Sequence, residues 1–136
     1  MKKTILNNVL FVILLLALGF SNKAKAQCGV DSVEIIITIL TDNYPTETYW
    51  ELIDQNGGGY YINAGSLTSS NTTYSWNICV PDTNCYSFTI FDTYGDGICC
   101  SYGSGSYSIT YNGITAGSGG SFGYYETTCG LALAKV

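Results

Sequence analysis

The chain has 136 residues, no histidine, no arginine, and a single methionine at its start. These absences remove the usual general base, the usual zinc ligand and the bidentate phosphate clamp. Basic charge is scarce as well, because Lys2, Lys3, Lys23 and Lys25 fall within the first 26 residues and only Lys135 follows. All ten acids lie beyond that point: Asp31, Glu34, Asp42, Glu47, Glu51, Asp54, Asp82, Asp92, Asp96 and Glu126. One base against ten acids leaves that portion with a formal charge of minus nine. Such a surface repels phosphate backbones and anionic lipid, so no nucleic-acid partner and no membrane insertion are expected. Cations are its natural complement. Outside the N-terminal stretch no segment shows helical spacing of apolar residues.

Lys2 and Lys3 precede an apolar run from Val9 to Phe20, and Ala24-Lys25-Ala26 has the small-x-small pattern of a cleavage site. Residues 1–26 therefore read as a signal peptide, cut before Gln27 and too short for a stable membrane span. Lipid attachment at Cys28 is disfavoured by the residues before it, Lys25, Ala26 and Gln27. The remainder, 27–136, is the size of one domain exported to the medium or the cell surface.

Cys28, Cys79, Cys85, Cys99, Cys100 and Cys129 then predict three disulfides. Cys79 ends one predicted strand and Cys85 begins the next, which favours a bridge between them. Cys99 and Cys100 follow the strand after Cys85, on the order of 20 Å away at about 3.3 Å per residue. A vicinal bridge between them would close a strained ring, so Cys28 and Cys129 are the better partners, which predicts that their turn is tied to both chain ends. A vicinal Cys99–Cys100 bridge, with Cys28 bonded to Cys129, stays open, since spacing does not select a connectivity. No histidine is present to activate a cysteine nucleophile.

Strands are predicted at Val33–Thr41, Glu47–Asp54, Tyr60–Ala64, Thr73–Cys79, from Cys85 through Ile90, at Gly105–Asn112, at Ile114–Ser118 and at Phe122–Cys129. The first is rich in β-branched residues and apolar on both faces, as suits the middle of a sheet. The others alternate, with Trp50 and Leu52, then Tyr74, Trp76 and Ile78, then Tyr86, Phe88 and Ile90, then Tyr107, Ile109 and Tyr111 sharing faces. On the strand after Cys85, Ser87 and Thr89 are expected to meet water. Gly57–Gly59 and Asn112-Gly113 mark hairpins. The expected architecture is all-β: a disulfide-stapled antiparallel sandwich of jelly-roll or immunoglobulin-like kind, with a small barrel as the alternative.

Three turns carry acids beside residues that bend the chain: DNYPTE (Asp42–Glu47), DTYGDG (Asp92–Gly97) and GSFGYYE (Gly120–Glu126). Calcium takes oxygen ligands from carboxylates and carbonyls, and irregular loops supply both. If the strands preceding the first two turns run in the same direction, Asp42, Glu47, Asp92 and Asp96 converge at one end, with Glu126 as a further ligand. The competing reading is that these acids are solvated turn residues with local hydrogen bonds, as expected for Asp54. DTYGDG has neither the full loop nor the closing glutamate of an EF-hand. Most tyrosines belong to inward faces, whereas Tyr44, Tyr60, Tyr61, Tyr94, Tyr102, Tyr124 and Tyr125 sit in turns or at strand ends, where aromatics stack on sugars or pack on proteins. Glu51 with Asp54, or Asp92 with Asp96, has the composition of a glycosidase pair, but the chain is small for a substrate cleft.

The segments TDNYPTETYWELID, CVPDTNCYSFTIFDTYGDGICCSYGSGSYSITYNG and GSFGYYETTC together resemble a cysteine-rich β-domain of secreted, often multidomain proteins of marine Bacteroidota and some microalgae. Its familiar core is a DSYGDGICC turn, here DTYGDGICC from Asp92 to Cys100. The resemblance implies an extracellular accessory domain with no reaction of its own. The expected function is therefore non-catalytic: a secreted, calcium-stabilised binding or adhesion module for an extracellular glycan or surface protein. A self-assembling surface protein is the alternative, and a small secreted hydrolase the third reading.

Overall fold

A computed structural model describes residues 28–132 apart from positions 58, 64 and 66; the signal peptide read at 1–26 lies outside the described residues. Eight strands follow in order: β1 (Ser32–Leu40), β2 (Thr48–Asp54), β3 (Tyr60–Asn63), β4 (Thr73–Pro81), β5 (Tyr86–Asp92), β6 (Ser106–Tyr111), β7 (Ile114–Gly119) and β8 (Tyr125–Leu131). A 3₁₀ turn, Pro45–Glu47, precedes β2. The strands form two four-stranded sheets, ordered β4-β1-β6-β7 and β3-β2-β5-β8, with every pairing antiparallel. The molecule is thus the expected sandwich, not a closed barrel.

Alternation along the strands builds the interior. Ile35, Ile37 and Ile39 of β1, with Ile109 of β6, face Leu52 of β2 and Phe88 and Ile90 of β5, and all seven are fully buried. Each such side chain stabilises the fold by roughly 1.5–3 kcal/mol relative to exposure. Leu67 and Ile98, contributed by connecting segments, are also buried in this cluster.

Strand β5 departs from the expected half-exposed pattern. Ser87 and Thr89 are only 7% exposed. Gln55 covers one of them, its Nε2 donating to Ser87 Oγ at 2.7 Å, and Thr127 meets Thr89 hydroxyl to hydroxyl at 3.1 Å. A strand flanked by β2 and β8 gains neighbours on its polar face that its own alternation does not reveal.

The disulfides correct the expected pairing. Cys79 is bonded to Cys28, not to Cys85. The reason is topological: β4 and β5 belong to different sheets, so the loop between them crosses the sandwich instead of closing a hairpin. Cys79 lies opposite Glu34 on β1, near the chain start. Cys99 is bonded to Cys100, so the turn is not tied to the two chain ends. Cys85 and Cys129 remain thiols, the former half-buried and the latter exposed. Tyr86 pairs with Leu131, which staggers Cys85 and Cys129 to opposite sides of that pair.

Candidate functional site

Strands β1 and β5 end at the same pole of the sandwich, and the connections that follow them meet there. Thr93 N–H donates to Glu47 O at 3.0 Å, Asp92 N–H to Tyr124 O at 2.9 Å, Ile98 N–H to Gly120 O at 3.0 Å, and Asn43 N–H to Tyr102 O at 3.2 Å. These cross-loop bonds satisfy backbone groups that irregular chain would otherwise leave unpaired. They also bring all three acidic turns together.

The turn after β5 is built on Asp92. Its Oδ1 accepts the N–H groups of Tyr94 at 3.0 Å, Gly95, and Asp96 at 3.2 Å. Gly97 adopts φ +71°, and a Cβ there would stand 2.6 Å from Phe122 O and 2.9 Å from Gly120 O. Only glycine fits that close approach. Thr93 Oγ1 donates to Glu47 O at 2.9 Å, which fixes Glu47 against the same turn.

As a result Glu47, Asp92 and Asp96 each offer a carboxylate oxygen, and these oxygens lie within 4.8 Å of one another. No lysine or arginine occurs between residues 28 and 132, so among the described residues no side-chain cation neutralises the group. Asp96 Oδ1 is buried without a hydrogen-bond partner. Burial first, then the neighbouring carboxylates of Asp92, Asp96 and Asp42, raise the Glu47 pKa above its ordinary value. Burial likewise raises that of Asp92, with Asp96 adding to the effect, while the three backbone N–H donors act against it. An all-oxygen donor set with an orphaned acceptor fits a hard divalent cation such as calcium better than zinc or copper.

Two expected ligands sit apart from that group. Asp42 is at the same pole and acts electrostatically on Glu47, but Asp42 is 5% exposed and its Oδ1 accepts Tyr44 N–H at 2.8 Å, an Asx turn. Glu126 pairs with Ile90 in the β5–β8 register, which points it inward beside Tyr107 and Gly119 of the facing sheet. Burial, then Glu126, push the Tyr107 phenol up to about 12. Asp54 behaves as a turn residue, accepting Asn56 N–H at 2.8 Å and Asn84 Nδ2 at 2.7 Å.

Beside the carboxylates lies a cavity of about 410 Å³ lined by Tyr44, Glu47, Tyr94, Asp96 and Tyr102. Tyr44 and Tyr102 pack edge to face with centroids 5.5 Å apart, although their sequence separation gives no hint of the pair. A second aromatic group escaped the sequence reading. Tyr49, Phe91 and Tyr125 lie in register across β2, β5 and β8, stacked at 4.6 Å and then tilted at 6.3 Å. Only the strand register, not any local pattern, discloses that row.

Fold and site together define a disulfide-bonded antiparallel β-sandwich with an acidic, tyrosine-bordered pole. No known protein family, no curated protein and no solved structure matches the chain. Among the described residues no helix is long and apolar enough to cross a membrane.

Proposed function

We propose that this protein is a secreted, non-catalytic binding module whose acidic pole is ordered by calcium and engages an extracellular glycan or surface protein. The observation that carries this reading is the convergence of Glu47, Asp92 and Asp96 within 4.8 Å, in a segment that holds no basic side chain. Three carboxylates at that spacing repel one another unless protons or a cation intervene. Glu47 and Asp96 would supply oxygens facing the cavity, while Asp92 would offer its second oxygen, its first being committed to backbone N–H groups. Calcium in that place links the β1–β2 connection to the turn after β5 and holds the tyrosine wall in one arrangement. The resemblance of DTYGDGICC to an accessory-domain core supports the same reading.

The test is thermal unfolding of the purified protein in calcium and in chelator. A ligand bound only by the native state, present at about a hundredfold over its dissociation constant, stabilises by roughly 2.7 kcal/mol. The melting temperature therefore rises with calcium, and Asp96→Asn abolishes most of the rise. An unchanged melting temperature at saturating calcium refutes the cation.

A further inference from the structure

We infer that the cavity walled by Tyr44, Tyr94 and Tyr102 is a sugar site, and that its ligand is a neutral glycan. This rests on the binding-module reading above and narrows its ligand. At about 410 Å³ the cavity falls within the range of small-ligand sites.

Its lining has the two-sided chemistry of a pyranose ring. Sugars carry C–H groups on one face, which pack on aromatic rings, and hydroxyl donors around the edge, which need acceptors. The rings are available, since Tyr44 is 48%, Tyr94 72% and Tyr102 52% exposed. Tyr44 and Tyr102 brace one another edge to face, so that wall is organised before any ligand arrives. The acceptors are the carboxylates of Glu47 and Asp96, which line the same cavity. Asp96 Oδ1 in particular is buried with no donor to satisfy it. A cation among the three carboxylates, itself able to coordinate hydroxyls, removes that deficit.

Charge selects among glycans. No lysine or arginine occurs between residues 28 and 132, and the three carboxylates outweigh the charge of a single divalent cation, so a uronate, sulfate or phosphate meets net negative charge where a neutral sugar does not.

Affinity electrophoresis in calcium tests this, with mannan and laminarin as neutral polysaccharides and alginate as the acidic one. At least one neutral polymer retards the protein and alginate does not. Tyr94→Ala and Tyr102→Ala each weaken the retardation roughly tenfold, while Tyr125→Ala, on the outer sheet face, leaves it unchanged. Failure of both neutral polymers, retardation by alginate alone, or full retention by Tyr94→Ala overturns the inference. Melting temperatures of the same samples with and without chelator separate the two readings. A calcium shift without neutral-glycan binding overturns only the sugar site, and glycan binding without a calcium shift overturns only the cation.

Discussion

The carboxylate of Asp92 faces two opposed demands. Three backbone N–H groups on its Oδ1 favour the ionised form, yet burial at 4% exposure and the charge of Asp96 disfavour it, and the net displacement is upward. Glu47 is raised as well. A carboxyl whose pKa is higher in the folded chain binds protons more tightly there, so its contribution to stability grows as pH falls. In chelator, the part of stability due to Glu47 and Asp92 thus increases from neutral pH down through their raised folded values, and is complete below the ordinary values of 4.5 and 3.8. Bound calcium reverses the slope, because protons then displace the metal. Melting temperature against pH, in chelator and in calcium, should diverge in this way for the native chain, and Glu47→Gln should reduce both slopes. At the same turn, Gly97→Ala forces a Cβ at φ +71° against Phe122 O and should cost about 1–3 kcal/mol in urea unfolding.

At the scale of elements, β5 organises the second sheet, flanked by β2 and β8 and buried on both faces. Phe88 touches Trp50 and Tyr107 ring to ring, at 6.1 and 5.6 Å between centroids, and so links its own sheet to the facing one. Phe88→Ala should cost about 3–5 kcal/mol by denaturant unfolding, far more than a change at exposed Tyr94. The Cys28–Cys79 bridge spans 51 residues and joins the segment before β1 to the last part of β4. Replacing both cysteines by serine should lower stability by about 4 kcal/mol on the loop-entropy estimate, read as a lower urea midpoint with both thiols absent by mass. Cys99–Cys100 closes a loop of adjacent residues and carries no comparable entropy effect.

At the scale of the molecule, the described residues hold acids and no bases, so the folded chain repels itself more strongly than the expanded one. Added sodium chloride should raise the melting temperature in chelator, and by less once calcium has reduced the charge at the acidic pole. Scanning calorimetry across a salt series, with and without calcium, checks both statements.

Strand positions and inward faces were legible in the sequence because side-chain direction alternates strictly along an extended chain, and Trp50, Leu52, Phe88, Ile90 and Ile109 announce their burial by period alone. Acid-bearing turns were legible too, since Gly95, Gly97 and the asparagines bend the chain by local preference. Which residues meet is another matter. Assignment of β4 and β5 to different sheets gave Cys79 to Cys28, the Ile90 register turned Glu126 toward Tyr107, and the meeting of distant loops joined Tyr44 to Tyr102. Local sequence determined the elements and their faces; only the tertiary structure decided the partners, because strand order and register arise from pairings between segments far apart along the chain.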